Sequence, residues 1–235
     1  MKIALFDVGN TLVYRNEKDD IIELDFLNQY LNNNFANFNK LVSEKYKRFE
    51  KNLFTKSASD IDSLQKEKKC YFQFLTEVIQ SLNLDCFTPA DIKEIVKLRF
   101  SKSRYNLFIG IYPMLQTLFN SAVQIGIITN GKPSRREVLK SLGINRFINN
   151  DLVFISDEMK SRKPDSEFFE KVNLKINKFF KTDKHVFLID DDLENCRMGN
   201  NFPNWTFIHF HPKSNAINKI THTILKQDDG FTIKI

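Results

Sequence analysis

The feature that most constrains this chain is a recurrent one: a short apolar run with no polar break, ending on a side chain that can do chemistry. Ile3 to Phe6 ends at Asp7, Ile125 to Ile128 at Thr129, and Val186 to Ile189 at Asp190. Runs of this length and uniformity suit strands buried on both faces, as in a parallel sheet. Leu152 to Ser156 and Trp205 to Phe210 read as two further strands, and after Gly110 and Pro113 helical patterns separate each strand from the next. Strand and helix in alternation imply an α/β, Rossmann-like core with helices covering a parallel sheet. Phe231 to Ile235 reads as one more short, terminal strand.

Between the first run and the rest the rhythm is different. From about Glu17 to Tyr105 apolar residues recur at helical spacing, at Ile22, Phe26, Tyr30 and Leu31 and again at Phe72, Leu75, Val78, Ile79 and Leu82. Thr88-Pro89-Ala90-Asp91 has the composition of a helix start, with a hydroxyl cap, proline at the first helical position and an acid in the first turn. The chain therefore divides into a core of residues 1–15 and 106–235 and an inserted α-helical cap of residues 16–105.

At 235 residues this arrangement can bury a substantial core without a partner. No apolar run approaches the roughly 18 to 20 residues of a membrane span. Asp7 interrupts the amino terminus before a signal-peptide core of about 7 to 15 apolar residues could form. Three cysteines, Cys70, Cys86 and Cys196, make neither a CxxC pair nor an even set, which fits reduced thiols in a cytoplasmic protein. The net charge of +6 comes from short, scattered clusters such as Lys66 to Lys69 and Lys132 to Arg136. These read as solvated surface, and neither nucleic acid nor membrane is expected as a partner.

In a doubly wound sheet the carboxyl ends of the strands converge on one crevice, so polar residues just after apolar runs are the candidates for a site. Four groups qualify. Asp7-Val8-Gly9-Asn10-Thr11 offers a carboxylate followed by residues suited to a tight turn with amides turned to an anion. Thr129-Asn130-Gly131 offers a hydroxyl and an amide able to donate to a phosphoryl oxygen, and Ser134 to Glu137 after it reads as a capping box. Arg162-Lys163-Pro164-Asp165 places a lysine just before a proline-marked helix start, where it can neutralise a nucleophile and its phosphate. Asp190-Asp191-Asp192-Leu193-Glu194-Asn195 gathers carboxylates whose repulsion is offset by a hard cation, magnesium being the natural one.

In this order the four groups resemble the motifs of the haloacid dehalogenase superfamily, and the helical insertion lies where its members with small helical caps carry the cap. The resemblance implies a magnesium-dependent phosphatase acting on a small phosphorylated metabolite. Asp7 would be the nucleophile that forms an aspartyl-phosphate. Asn10, Thr11, Thr129, Asn130, Gly131 and Lys163 would hold the substrate, and Asp7, Gly9, Asp190 and Asp191 are the metal candidates, Gly9 through its carbonyl.

Two positions depart from the family pattern. Gly9 stands where most such phosphatases have a second aspartate as general acid and base, and that assistance typically contributes about 10² to 10⁴-fold. The expected enzyme is therefore slow, or selective for leaving groups of low pKa such as anomeric, aryl or acyl phosphates. Cys196 replaces a farther acidic position and reads as a core residue, with Asn195 or Glu194 left to orient metal-bound water. His185, His209, His211 and His222 read as structural or surface residues. The alternatives are a metal-independent 2-haloacid dehalogenase and a catalytically silent member that binds a phosphometabolite or a protein.

Overall fold

The computed structural model describes residues 1–15, 61–81, 87–101, 105–198, 201–211 and 214–226. The chain opens with β1 (Lys2–Phe6) and β2 (Val13–Arg15), and then, in the described part of the insertion, α1 (Leu64–Ser81) and α2 (Pro89–Ser101). It returns through β3 (Tyr105–Leu107) into α3 (Ile111–Asn120), β4 (Gln124–Thr129) and α4 (Arg135–Ser141). β5 (Ile148–Ile155), the single turn α5 (Ser156–Met159) and α6 (Ser166–Phe179) follow, then β6 (His185–Asp190), α7 (Leu193–Met198), β7 (Trp205–His209) and α8 (Ser214–Lys226).

Five strands form one parallel sheet in the order β5-β4-β1-β6-β7, so the fold is α/β and Rossmann-like. Strand order reverses at β1, whose neighbours β4 and β6 lead to opposite edges of the sheet. That is where the loops at the carboxyl ends part and leave a crevice. The alternation within β1 shows why its run had to be apolar throughout. Ala4 and Phe6 join the layer completed by Met114, Leu115 and Leu118 of α3 and Ile217, Ile220 and Ile224 of α8. Ile3 and Leu5 join the opposite layer with Phe168, Phe169, Val172 and Ile176 of α6. Each such side chain, once buried, contributes about 1.5–3 kcal/mol. Gly126 allows β4 to approach β5, since a Cβ there would stand 2.6 Å from the Leu152 carbonyl oxygen.

β5 starts four residues earlier than its apolar run, at Ile148. Its first half includes Asn149-Asn150-Asp151, which carries no apolar signal and falls in the register shift between the Ile125–Ile148 and Ile127–Val153 pairs with β4. The helix after Lys163 begins at Ser166 with Asp165 as its N-cap, so Pro164 precedes the helix and does not occupy its first position. The antiparallel pairing of β2 with β3, Val13 with Leu107 and Arg15 with Tyr105, has no separate sequence signal.

In the insertion, α1 and α2 pack through Tyr71, Phe74, Leu75, Val78, Ile79, Phe87, Ile92, Ile95 and Val96. Phe72 packs against this cluster from its edge. The Thr88 start is a reciprocal cap: the Thr88 amide donates to Asp91 at 2.8 Å and the Asp91 amide to the Thr88 hydroxyl at 3.3 Å. The periodic positions Ile22 to Leu31, Leu82 and the terminal run Phe231 to Ile235 lie outside the described residues. No helix among the described residues is long and apolar enough to cross a membrane.

Candidate active site

The three central strands deliver Asp7, Thr129 and Asp190 side by side at their carboxyl ends, as the strand pairings require. The loop after β1 closes on itself. The amides of Leu12 and Val13 donate to the Val8 carbonyl at 3.0 and 2.9 Å, and that of Asn10 to the Val13 carbonyl at 2.8 Å. Asn10 takes the left-handed conformation, φ 55°, which asparagine tolerates better than most residues. These three amides are thus spent within the turn, and of the group Asp7 to Thr11 only the Asn10 amide is among them. Asn10 has its exposed side chain to offer. Thr11 is buried and donates its hydroxyl to Asp191 at 3.3 Å.

Lys163 is the centre of the arrangement. It is 2% exposed, and its ammonium donates to Asp7 at 2.8 Å and to Asp190 at 2.5 Å. Burial works to lower its pKa, but the charges of Asp7 and Asp190 together hold it above the ordinary lysine value. Lys163 is therefore a fixed cation beside the nucleophile candidate. Its backbone is held as firmly: Asn130 donates its side-chain amide to the Lys163 carbonyl and accepts the Lys163 amide, both at 2.8 Å. The Asn130 side chain thus positions Lys163 through both its oxygen and one N–H of its amide.

Asp190 is saturated by protein donors. Oδ1 accepts the Asp192 amide at 2.9 Å and the Asn195 side chain at 3.1 Å, while Oδ2 accepts Lys163 and, at 3.2 Å, Asn195 again. Desolvation is the main force raising its carboxyl pKa, with the Asp7 charge adding and Lys163 opposing. Asp191 is half-buried, and His209 at the end of β7 fixes its carbonyl at 3.0 Å. Buried Cys196 lies behind Asp190, and burial pushes its thiol pKa up to about 12, so it stays neutral and unreactive.

Asp7, Asp190 and Asp191 each bring one carboxylate oxygen within 4.8 Å of the others. Oxygen-only donors of this charge suit a hard divalent cation such as magnesium, so the residues present fit that ion. Asp7 and Asp191 have the greater capacity to ligate it, because Asp190 is already taken up. Gly9 lies beside them in a backbone bridge to Val13; a Cβ there would meet nothing within 4 Å.

Several residues around the site were not among the candidates. Ser156, directly after β5, accepts the Gly131 amide at 3.0 Å, so that amide too is engaged. The rule that picked Thr129 picks Ser156 equally well. Asp157 pairs with Lys132 at 2.6 Å, and burial raises its pKa while Lys132 opposes the rise. From the insertion, the Glu67 carboxylate accepts both the amide and the hydroxyl of Ser134, at 2.9 and 2.7 Å. Ser134 therefore makes no capping box with Glu137; a residue of α1, remote in sequence, satisfies the start of α4 instead.

Comparison with known proteins gives the family and the fold. A family model of haloacid dehalogenase-like hydrolases matches residues 1–202, and the chain belongs to that family. It is a hydrolase of haloacid dehalogenase type. No curated protein sequence matches the chain. Among solved structures, a haloacid dehalogenase (HAD) family enzyme of Bacteroides thetaiotaomicron is similar with a TM-score of 0.57 at 13% identity, covering 91% of this chain and 96% of that one. A HAD phosphatase of Thermococcus onnurineus gives a TM-score of 0.53 at 17% identity, covering 96% and 98%. An L-2-haloacid dehalogenase of Xanthobacter autotrophicus gives 0.50 at 12% identity, covering 95% and 84%. At these identities the likeness is one of fold.

Proposed function

We propose that this hydrolase is a magnesium-dependent phosphatase of a small phosphorylated metabolite, working through an aspartyl-phosphate on Asp7. One observation carries the reading: three carboxylates converge where, among the described residues, one buried cation, Lys163, pairs with two of them. That excess of negative charge suits a site completed by a divalent cation and a phosphoryl group, and is a poor design for a metal-free site. Bound magnesium, held by Asp7 and Asp191 with the Gly9 carbonyl as a further candidate, would neutralise charge on the transferring phosphoryl group.

The chain's own residues supply the rest. Asp7 attacks phosphorus and the P–O bond to the leaving group breaks, while Lys163 aims the Asp7 carboxylate, and Asn130 and Asp190 hold Lys163 in place. Thr129, at the end of β4, is the proposed donor to a phosphoryl oxygen, while Thr11, whose hydroxyl donates to Asp191, holds that carboxylate. Asp7 leaves the phosphoryl group when water attacks it. Gly9 supplies no proton to the leaving group, so leaving groups of low pKa, such as aryl, acyl and anomeric phosphates, are favoured.

The absence of an acid at position 9 is equally compatible with a 2-haloacid dehalogenase, and one pair of assays separates the two readings. Magnesium-dependent release of phosphate from a panel of sugar, nucleotide, aryl and acyl phosphates supports the phosphatase. Release of chloride from 2-chloropropionate without metal, and no phosphate release, replaces it with the dehalogenase. Silence in both assays favours a binding protein.

A further inference from the structure

Arg135 opens α4 four residues after Gly131, and its side chain lies back across that glycine. A Cβ on Gly131 would stand 3.0 Å from the Arg135 Cγ and 3.1 Å from its Nε. The guanidinium carbon lies 4.6 Å from the centroid of Tyr105, the first residue of the strand by which the chain returns from the insertion. The guanidinium thus sits between the end of the Thr129-Asn130-Gly131 loop and the passage from insertion to core. Its Nη1 is buried and has no hydrogen-bond partner among the described residues.

A buried, unpartnered nitrogen on a permanent cation is costly, and native structures seldom leave one without a use. The nearby acids are already engaged: Asp157 with Lys132, Glu158 with Arg136, and Glu67 with Ser134. The guanidinium carbon lies over the Tyr105 ring, a cation–π contact that uses none of its N–H donors. Such a group is preorganised for a carboxylate or a phosphate.

We propose that Arg135 anchors a second anionic group of the substrate. The substrate class is then a phosphorylated metabolite that also carries a carboxylate or a second phosphate. This rests on the phosphatase reading of the same site. The absence of a side chain at Gly131 has a second use here, since any Cβ would push the arginine aside.

The test compares matched substrates that differ only in the second anion: 3-phosphoglycerate against glycerol 3-phosphate, and glucose 1,6-bisphosphate against glucose 1-phosphate. The readout is the ratio of kcat/KM within each pair. Wild type is expected to favour the doubly anionic member of at least one pair by ~10-fold or more, as a charge-assisted hydrogen bond would give. Arg135→Gln should bring that ratio close to unity, and Arg135→Lys should keep part of it. A ratio near unity in wild type for both pairs, or a ratio unchanged by Arg135→Gln, overturns the proposal.

If no phosphate ester is turned over, the phosphatase reading fails, and calorimetric binding of phosphonoacetate and methylphosphonate decides the anchor separately. Tighter binding of phosphonoacetate that Arg135→Gln abolishes upholds it. Equal affinities, or a preference that survives the substitution, overturn it.

Discussion

Substitution of Gly9 by aspartate tests whether the missing acid limits this enzyme. The backbone at Gly9 is outside the left-handed region, and the added Cβ would meet nothing within 4 Å, so Gly9→Asp enters open space without strain. Replacing a glycine in a compatible conformation stabilises by about 0.4–1 kcal/mol through the unfolded chain. The melting temperature should then stay within a few degrees of wild type, at roughly 2–4 °C per kcal/mol for a chain this size. The new carboxyl would lie two residues after Asp7 on the loop that follows β1. General acid assistance at the lower end of its usual range, about 10²-fold, corresponds to ~2.7 kcal/mol of barrier. That gain is expected in kcat on alkyl phosphates such as phosphoserine, whose leaving groups need the proton. On 4-nitrophenyl phosphate, whose leaving group does not, the change should stay within about threefold. Initial rates with magnesium on both esters decide the matter. Equal gains on the two, or losses on both, would refute the claim that Gly9 marks an absent acid.

Two further outcomes follow from contacts away from the chemistry. Gly126→Ala would drive a methyl to 2.6 Å from the Leu152 carbonyl and 2.7 Å from Leu5. Overpacking of this kind costs about 1–3 kcal/mol, and a melt should show a fall of several degrees. Burial raises the pKa of Glu67 above the usual 4.5, with Ser134 opposing. The folded state therefore binds the proton more tightly than the unfolded one, and stability is lost as pH rises from about 4.5 through the raised value. Glu67→Gln should flatten that decline in melting temperature; an unchanged slope would show that Glu67 does not titrate there.

How much of this was legible in the sequence follows from which interactions are local. Apolar runs such as Ile3 to Phe6 report double-sided burial directly, so the parallel sheet and the residues at its carboxyl ends could be read from them. The first half of β5 could not, because Asn149 to Asp151 show no apolar signal: the Asn149 side chain donates to Gln124 and accepts the Asp151 amide. The gathering of Asp7, Lys163 and Asp190 was legible in outline, since Asp7 follows a strand, Asp190 ends one and Lys163 stands in the segment just before a helix. The partners were not. Asn130 reaches the Lys163 backbone across 33 residues and Glu67 reaches Ser134 across 67, and neither spacing leaves a trace in either segment. The unpartnered Arg135 nitrogen is a property of packing alone.

The most direct test of the central claim is to quench the enzyme during turnover of acetyl phosphate with magnesium, reduce it with borohydride, and sequence the amino-terminal peptide by mass spectrometry. The account predicts that position 7 is recovered partly as homoserine, the reduction product of an aspartyl-phosphate, that omitting magnesium abolishes the signal, and that Asp7→Asn removes both signal and turnover. Sustained phosphate release with Asp7 unmodified, or by the Asp7→Asn variant at the wild-type rate, would contradict it.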